Sequence, residues 1–557
     1  MKKFLLYTLI FVLGISLTSC EDFLKEESYG NPTSEELLKD PNNMALLVGQ
    51  AYAELKWLHD HWGYWGLNTL TSDEARCPVR YPGGHWSDGG YWANLNTMNW
   101  DYEGEAFQNV WLKCISGATL CNKILKQISA YESSVDPAMY KRFTAELCVL
   151  RSYYYYTMFD MFGRIPYTEQ YPESETVQFP LLSREVVWKN IVNSLEANVP
   201  NLPKADEAGG KAMNYGRATQ GFGYALLARL YLNAIHSSFD IEGIDESTAL
   251  SKCITYCNKV INSGTYSIES NFFNNFLVYN ENSNENIMVI VENGNANFDT
   301  QESYSMLNKL RINLLTQHYS FLTLYTLLEK PWNGFSASKA FMDLYEKDDR
   351  RGPCGVNEGT VVDFQNKDEK FGWFVGPVYI DGVLQKDENG DKVIIKKTYS
   401  AEDIYNVDKI HNWNDGARCM KYETEVASTV NKYMENDFVL MRYADVLYMK
   451  AEAQLRLNNE CNEMLSNPSF QLIRTRAGLE PYTSLTLDEL LDERGREFAW
   501  ENVRRRDLIR FGKYTSADYV WDYKIPTDDS RKWFPIPKKQ LELHKNDVIP
   551  WTQNEGY

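Results

Sequence analysis

Phe143, Leu147, Leu150, Tyr154, Met158 and Met161 recur at intervals of three or four. Such spacing lays one apolar stripe along a long helix and excludes a strand, whose side chains alternate with period two. The same pattern returns at Phe222, Ala225, Leu226 and Leu230. It returns again over Asp437 to about Leu457, with Val439, Tyr443, Val446 and Leu447 facing inward. Further helices are predicted over 43–59, 105–129, 184–198, 247–262 and 486–511. Small residues, as in Ala451-Glu452-Ala453 and from Ala225 to Ala228, let neighbouring helices approach closely. The helices pair through short links in the manner of tetratricopeptide repeats, without a clean ~34-residue period. The expected fold class is mainly α, a tetratricopeptide-like helix-pair scaffold with long ligand-binding loops and a small β-hairpin.

The N-terminus bears on compartment. Lys2 and Lys3 precede an apolar run from Phe4 to Leu17, which then ends in Leu17-Thr18-Ser19-Cys20. The run suits a signal-peptide core and falls short of the ~20 residues of a membrane span. A small-residue site followed by Cys resembles a bacterial lipobox, in which Cys20 is the lipidated residue. Residues 1–19 read as signal peptide and 20–41 as a lipidated tether. Removing 1–19 takes away two lysines and no acid, so the net charge moves from −19 to −21. That field disfavours nucleic acid and strongly anionic polymers as ligands, although a local basic patch can break the rule. Contact with the membrane is expected through the lipid anchor only.

Nine cysteines remain beyond Cys20, an odd number with no Cys-x-x-Cys, and they read as small buried hydrophobes. No cofactor is called for. His59-Asp60-His61 with His85 is a weak metal grouping, and no metal is expected. Asp387-Glu388-Asn389-Gly390-Asp391 lacks the glycine and terminal glutamate of a calcium-binding EF loop. It reads as a turn between Val378-Tyr379-Ile380 and Val393-Ile394-Ile395, and the tail from Trp533 reads as extended.

Aromatic residues mark a ligand. Seven of fifteen tryptophans fall within residues 57–111, a tenth of the chain. Trp86, Trp92 and Trp100 belong to a Gly-, Asp- and Asn-rich loop spanning 60–104. Such a loop is not expected to bury three indoles between helices. A sugar ring stacks on an indole face through its C–H bonds, and its hydroxyls need fixed donors and acceptors around the rim. Asp73, Arg80, Asp88 and Asn96 supply that rim. Pro331-Trp332-Asn333-Gly334-Phe335 is a second candidate, through Trp332 and Asn333. Arg418 and Tyr422 are weaker ones. The competing reading is a loop packed on its own tryptophans.

Six separated blocks resemble the SusD/RagB family of outer-membrane nutrient-uptake lipoproteins. They are Ala145-Glu146-Leu147 with Arg151 to Tyr155 and Phe162-Gly163-Arg164-Ile165-Pro166; Arg217-Ala218 through Ala228-Arg229-Leu230-Tyr231-Leu232; Phe438 to Leu447 with Lys450 to Ala453; Ile473 to Leu479; Glu493 to Ala499 with Arg506 to Arg510; and Phe534-Pro535-Ile536-Pro537 with Gln553 to Tyr557. Gly495 and Glu555 depart from the family pattern. The resemblance implies an N-terminal helical region over 42–263 and a SusD/RagB region over 264–557. It implies a surface-exposed, lipid-anchored protein of the outer membrane that binds an oligosaccharide or polysaccharide. Its partner is then a SusC-like TonB-dependent transporter, over which it sits as a lid. It also implies that the loop after the first scaffold helix builds much of the site.

Three rivals stay open. A RagB-like protein captures peptides, a helical scaffold binds protein alone, and a secreted glycoside hydrolase needs two opposed carboxylates. Asp73 and Glu74 are adjacent, and adjacent acids do not oppose each other. The Glu/Arg pairs from Glu493 to Arg510 predict a partly buried ion network rather than an anion-binding face. The Tyr153–Tyr156 run predicts at least one ring exposed or at an interface.

Overall fold

The computed structural model describes residues 40–557 apart from 81–85, 87, 175, 208–209, 293–314, 321–330, 355–371, 381, 388, 399–411, 426–433, 520, 522–523 and 525–526. The leader, Cys20 and nearly all of the tether lie outside the described residues. No described helix is long and apolar enough to cross a membrane.

The helices are α1 (Pro41–Leu58), α2 (Tyr64–Leu70), α3 (Tyr91–Asn96), α4 (Glu105–Ser129), α5 (Pro137–Phe162), α6 (Arg184–Asn198), α7 (Gln220–Leu232), α8 (Glu246–Ile261), α9 (Tyr443–Asn458), α10 (Pro468–Arg476), α11 (Leu487–Glu497) and α12 (Arg504–Arg510), with shorter helical turns between. α4 packs on α5, α5 on α6, α7 on α8 and α8 on α9, so successive pairs share one hydrophobic core running from Met44 to Trp551. α5 sits in the middle. Nearly every side chain from Phe143 to Phe162 is buried, the charged members Glu146, Arg151 and Asp160 being paired with Arg217, Glu169 and Arg506. This corrects the expectation of an exposed tyrosine. Tyr153, Tyr154, Tyr155 and Tyr156 are all buried. Three of their hydroxyls are used: Tyr153 meets His59 Nε2 at 3.1 Å, Tyr154 donates to Ala51 O at 2.6 Å and Tyr155 to Thr168 O at 2.9 Å.

Three other boundaries differ from the sequence reading. The segment starting at Asp437 begins as a strand, Phe438–Arg442, paired antiparallel with Asn286–Ile290. A continuous apolar run of this length suits a strand buried on both faces, and the helix starts only at Tyr443. The helix expected over 486–511 breaks after Glu497, where Trp500 (φ 62°) and Asn502 (φ 66°) take left-handed backbone. The tail contains a short helix, Lys538–Leu543.

Small sheets decorate the scaffold. Pro353–Cys354, Gly372–Phe374 and Arg418–Met420 form three strands. In the hairpin, Tyr379–Ile380 pairs with Val383–Leu384, while Ile394–Ile395 pairs with Gly376–Pro377. The turn itself forms: Asp387 Oδ1 accepts from the N–H of Asn389 and Asp391, each at 2.9 Å. Cys77, Cys114, Cys121, Cys148, Cys253, Cys257, Cys419 and Cys461 are free and buried.

The ion network exists and is fully buried. Arg442 bonds Glu285 at 2.6 Å, Glu497 at 2.8 Å and Glu501 at 2.8 Å. Arg476 bridges Glu285 and Glu497 from α10 at 2.5 and 2.6 Å. Arg494 and Arg510 clasp Asp507, each at 2.7 Å. The adjacent guanidinium groups hold Glu452 and Glu493 well below the usual carboxylate range, at about 2, against the opposing effect of burial. Glu497 is held down by Arg476, Arg442 and Arg351 in the same way. These pairs lock α9–α12 to the strand pair of Asn286–Ile290 and Phe438–Arg442.

Candidate functional site: an aromatic cluster joining two loops

The 60–104 loop and the 331–335 turn meet. Trp92, the second residue of α3, lies at the centre, with ring centroids 4.4 Å from Trp62, 5.6 Å from Trp86 and 5.7 Å from Phe335. His61 stacks on Trp92 at 5.9 Å and meets Trp332 edge-on at 6.1 Å. Trp86 completes the ring set, 6.1 Å from Trp332 and 5.4 Å from Phe335. The polar edges are satisfied inside the cluster. Trp86 Nε1 donates to Trp332 O at 3.0 Å, and Trp92 Nε1 to Asp88 Oδ2 at 2.5 Å. Trp86 adopts φ 73°, which a bulky residue tolerates only when its surroundings hold it.

The loop therefore does bury its indoles, which corrects the expectation of an open three-indole platform. Trp92 and Trp86 are 1% and 7% exposed. Trp100 is also buried and stands apart, packed on Phe107 and Phe534 and donating to Tyr557 Oη at 2.7 Å. Aromatic surface drives this collapse: an indole buries far more apolar area than a Gly-rich loop loses in order.

The expected rim residues are largely internal struts. Asp73 pairs with Arg504 at 2.7 Å and accepts from Tyr519 Oη at 3.0 Å. Asn96 donates to Leu70 O and Ala75 O at 2.7 and 3.0 Å and accepts from Cys77 N–H at 3.2 Å. Arg80 spans to the 412–415 turn, donating to Asn412 O and Asp415 O at 2.8 Å each. Asn333 donates from Nδ2 to Trp413 O at 3.0 Å. Arg418 is buried and donates to the same carbonyl at 2.7 Å. Tyr422 is buried, and its hydroxyl accepts from Val439 N–H at 3.0 Å. Of the sequence candidates, Asp88 is exposed and Trp332 half-buried; Trp62 and Tyr91 of the same cluster are also half-buried.

Sequence reading missed Trp413. Arg80, Arg418 and Asn333 fasten its backbone carbonyl from within, and its indole is 36% exposed. Tyr319 meets that indole edge-on at 5.7 Å and 89°. The signal was available: Asn412-Trp413-Asn414-Asp415-Gly416 repeats the turn chemistry of Pro331-Trp332-Asn333-Gly334. Two Trp-Asn turns, pinned to each other through Asn333, thus carry a half-buried and an exposed indole. Such a surface stacks on flat C–H-bearing rings, while the exposed Asp88 carboxylate offers hydrogen-bond acceptors.

Beneath the loop, Glu74 is buried against the break between α11 and α12 at Trp500, whose N–H it accepts at 3.0 Å. Burial pushes its carboxyl up to about 8. Neighbouring Asp73 is committed to Arg504 at 2.7 Å. His59 and His61 are buried, His59 against Tyr153 and His61 against Asp60 at 2.7 Å. Among the described residues no group of His, Cys, Asp and Glu is arranged to hold a metal.

Comparison with known proteins agrees over most of the chain. Residues 284–557 match the SusD family, and residues 68–232 match a family described as starch-binding associating with outer membrane. The starch-binding protein SusD of Bacteroides thetaiotaomicron is 24% identical over 85% of this chain and 82% of its own. A SusD superfamily protein from Parabacteroides distasonis superposes with a TM-score of 0.69 at 18% identity, covering 95% of this chain and 100% of that one. Surface glycan-binding protein A from Bacteroides thetaiotaomicron in complex with laminarihexaose gives 0.64 at 20% identity, covering 92% and 99%.

Proposed function

The chain belongs to the SusD family, and we propose that it is a cell-surface glycan-binding lipoprotein that delivers oligosaccharide to a SusC-like TonB-dependent transporter. The family is one of binding proteins associated with the outer membrane, not of catalysts, so the hydrolase reading falls away. Lipid attachment at Cys20 follows from the lipobox-like Leu17-Thr18-Ser19-Cys20 and supplies the tether.

The observation that carries the glycan reading is Trp413. It is a large apolar side chain left exposed, with its backbone anchored by two arginines and an asparagine. A single part-exposed indole is ordinary on a protein surface. Here Trp413 and the half-buried Trp332 stand on two turns fastened to each other, a held aromatic surface that can stack on a ligand without first being ordered. Trp332 and Tyr319 extend the stacking surface, and Asp88 hydrogen-bonds sugar hydroxyls at its edge. Trp86, Trp92, Arg80 and Asn333 position these groups from below; Asp73, Asn96 and Trp100 hold the loop to the scaffold. Glycan binding favours the closed lid on the transporter by its differential affinity for that state. Starch and laminarihexaose, the ligands named for two relatives, are both neutral glucans, in keeping with the acidic charge of this chain.

Native gels containing neutral glucans, with a parallel assay for new reducing ends, test the reading. Retardation that Trp413→Ala abolishes, without new ends, is expected. Unchanged retardation in Trp413→Ala and Trp332→Ala together overturns the site, and new ends that track the protein overturn the function.

A further inference from the structure

A cleft of about 280 Å³ opens where the start of α7 meets the end of α8, lined by Lys204, Gln220, Tyr224, Lys259, Asn262 and Ser263 among others. Its volume lies just under the ~300 Å³ lower end of small-molecule sites, room for one small ring. In a chain of net charge −19, no described residue lining it is acidic. The nearby carboxylates are engaged at its edge: Asp206 accepts from Thr265 Oγ1 at 3.2 Å, and Glu207 reaches Lys204 Nζ at 3.6 Å. Lys259 has no carboxylate partner among the described residues; its ammonium sits over the Tyr224 ring, 4.8 Å from the centroid.

The tyrosines are already occupied. Tyr224 carries Lys259 and stacks on Tyr256 at 6.0 Å, and Tyr266 stacks on Tyr443 at 6.3 Å while its hydroxyl meets Thr219 Oγ1 at 3.3 Å. The last carbonyls of α8 turn to the chain's own N–H groups, Asn258 O to Asn262 and Val260 O to Ser263. The negative end of that helix is therefore partly quenched. What the cleft offers is cationic and hydroxyl-bonding chemistry, not an open stacking face.

We propose that this cleft is a second carbohydrate site, which takes a single carboxylate-bearing sugar ring of the hexuronate class. Lys259 answers the carboxylate, joined by Lys204 once it is drawn from its 3.6 Å contact with Glu207. Asn262 bonds the ring hydroxyls, with the remaining acceptor positions of Gln220, whose Nε2 donates to Leu202 O, and of Ser263, whose Oγ donates to Val260 O. The choice of a sugar rests on the glycan-binding reading above; the charge preference does not.

Saturation-transfer NMR on the purified protein, with glucuronate, glucose and acetate as separate probes, tests it. In Trp413→Ala, whose first site is disabled, glucuronate gives transfer and glucose gives little. The double variant Lys204→Gln with Lys259→Gln binds glucuronate about tenfold or more weakly, as expected for loss of charge-assisted hydrogen bonds. Because Lys259 is exposed and Lys204 half-buried, the variant keeps its fold, checked by its melting temperature and its retention of neutral glucan. Equal transfer from glucose in Trp413→Ala, where the first site no longer contributes, transfer from acetate as strong as from glucuronate, or glucuronate binding unchanged by the double variant overturns the proposal. Loss of glucuronate binding in Trp413→Ala also overturns it, by making the cleft part of the first site. Failure of neutral-glucan binding alone bears on the first site only.

Discussion

The indole of Trp86 fills the space that a side chain on Gly334 would need: a Cβ built there comes within 2.2 Å of the ring. The residues lie almost 250 positions apart, and this contact, with Trp86 Nε1 on Trp332 O, is where the Trp-rich loop seats on the Trp-Asn turn. Gly334→Ala keeps an allowed backbone but displaces the ring. It should cost about 1–3 kcal/mol by overpacking and weaken glucan retention together with stability. A melt and a gel on the same variant check it, and an unchanged melting temperature refutes the seating argument.

Exposed and buried indoles should part company. Trp413→Ala should leave stability within about 0.5 kcal/mol, as surface substitutions do, while removing most glucan binding. Trp92→Ala should cost about 3–5 kcal/mol by leaving a cavity in the cluster. Urea unfolding beside affinity gels separates the two; equal stability losses contradict the assignment.

Arg442 is shared among three carboxylates of the ion network. Arg442→Met leaves Glu285, Glu497 and Glu501 short of a partner in a buried site. The loss should be about 3–5 kcal/mol. Arg456→Met, whose pair with Glu452 at 2.9 Å leaves that carboxylate still bonded to Arg510, should cost clearly less. Denaturant midpoints for the two variants decide the order.

Glu74 predicts a pH dependence. Its carboxyl holds a proton up to about 8 in the folded chain, against an ordinary value of 4.5. Between those values the unfolded chain has released its proton and the folded chain has not. Stability therefore falls as pH rises from about 4.5 to 8 and is flat above. Asp437, raised to about 6 by burial, adds a smaller loss between 3.8 and 6. Glu452 and Glu493, held near 2, act oppositely and lose their contribution only as pH drops below about 4.5. Glu74→Gln should flatten the fall between pH 6 and 8. Urea midpoints over that interval that run parallel for wild type and variant would contradict it.

The helix scaffold was legible because its signal is local. The periodic pattern set α4, α6 and α8 nearly to the residue and placed the stripe of α5 without its first turns, since a helix bonds only within itself. The ion network was legible only in part: Glu493–Arg496 and Asp507–Arg510 pair at helical spacing, while Arg442, Arg476 and Glu285 enter it from distant segments. The failures came where a distant segment decides. Phe438–Arg442 is a strand because Asn286–Ile290 lies beside it, and the helix over 486–511 breaks because Trp500 must reach Glu74.

The site divides along the same line. The sequence alone identified an aromatic, turn-rich pair of segments, because tryptophans and Asn-Gly turns are chemical facts of the chain. Which indoles face water was decided by tertiary structure. Trp92 is covered by rings from positions 61, 62, 86 and 335, and Trp413 stays exposed because Arg80, Asn333 and Arg418 hold its backbone and leave its ring outside. Exposure is a property of what long-range packing leaves uncovered, and no local pattern encodes it.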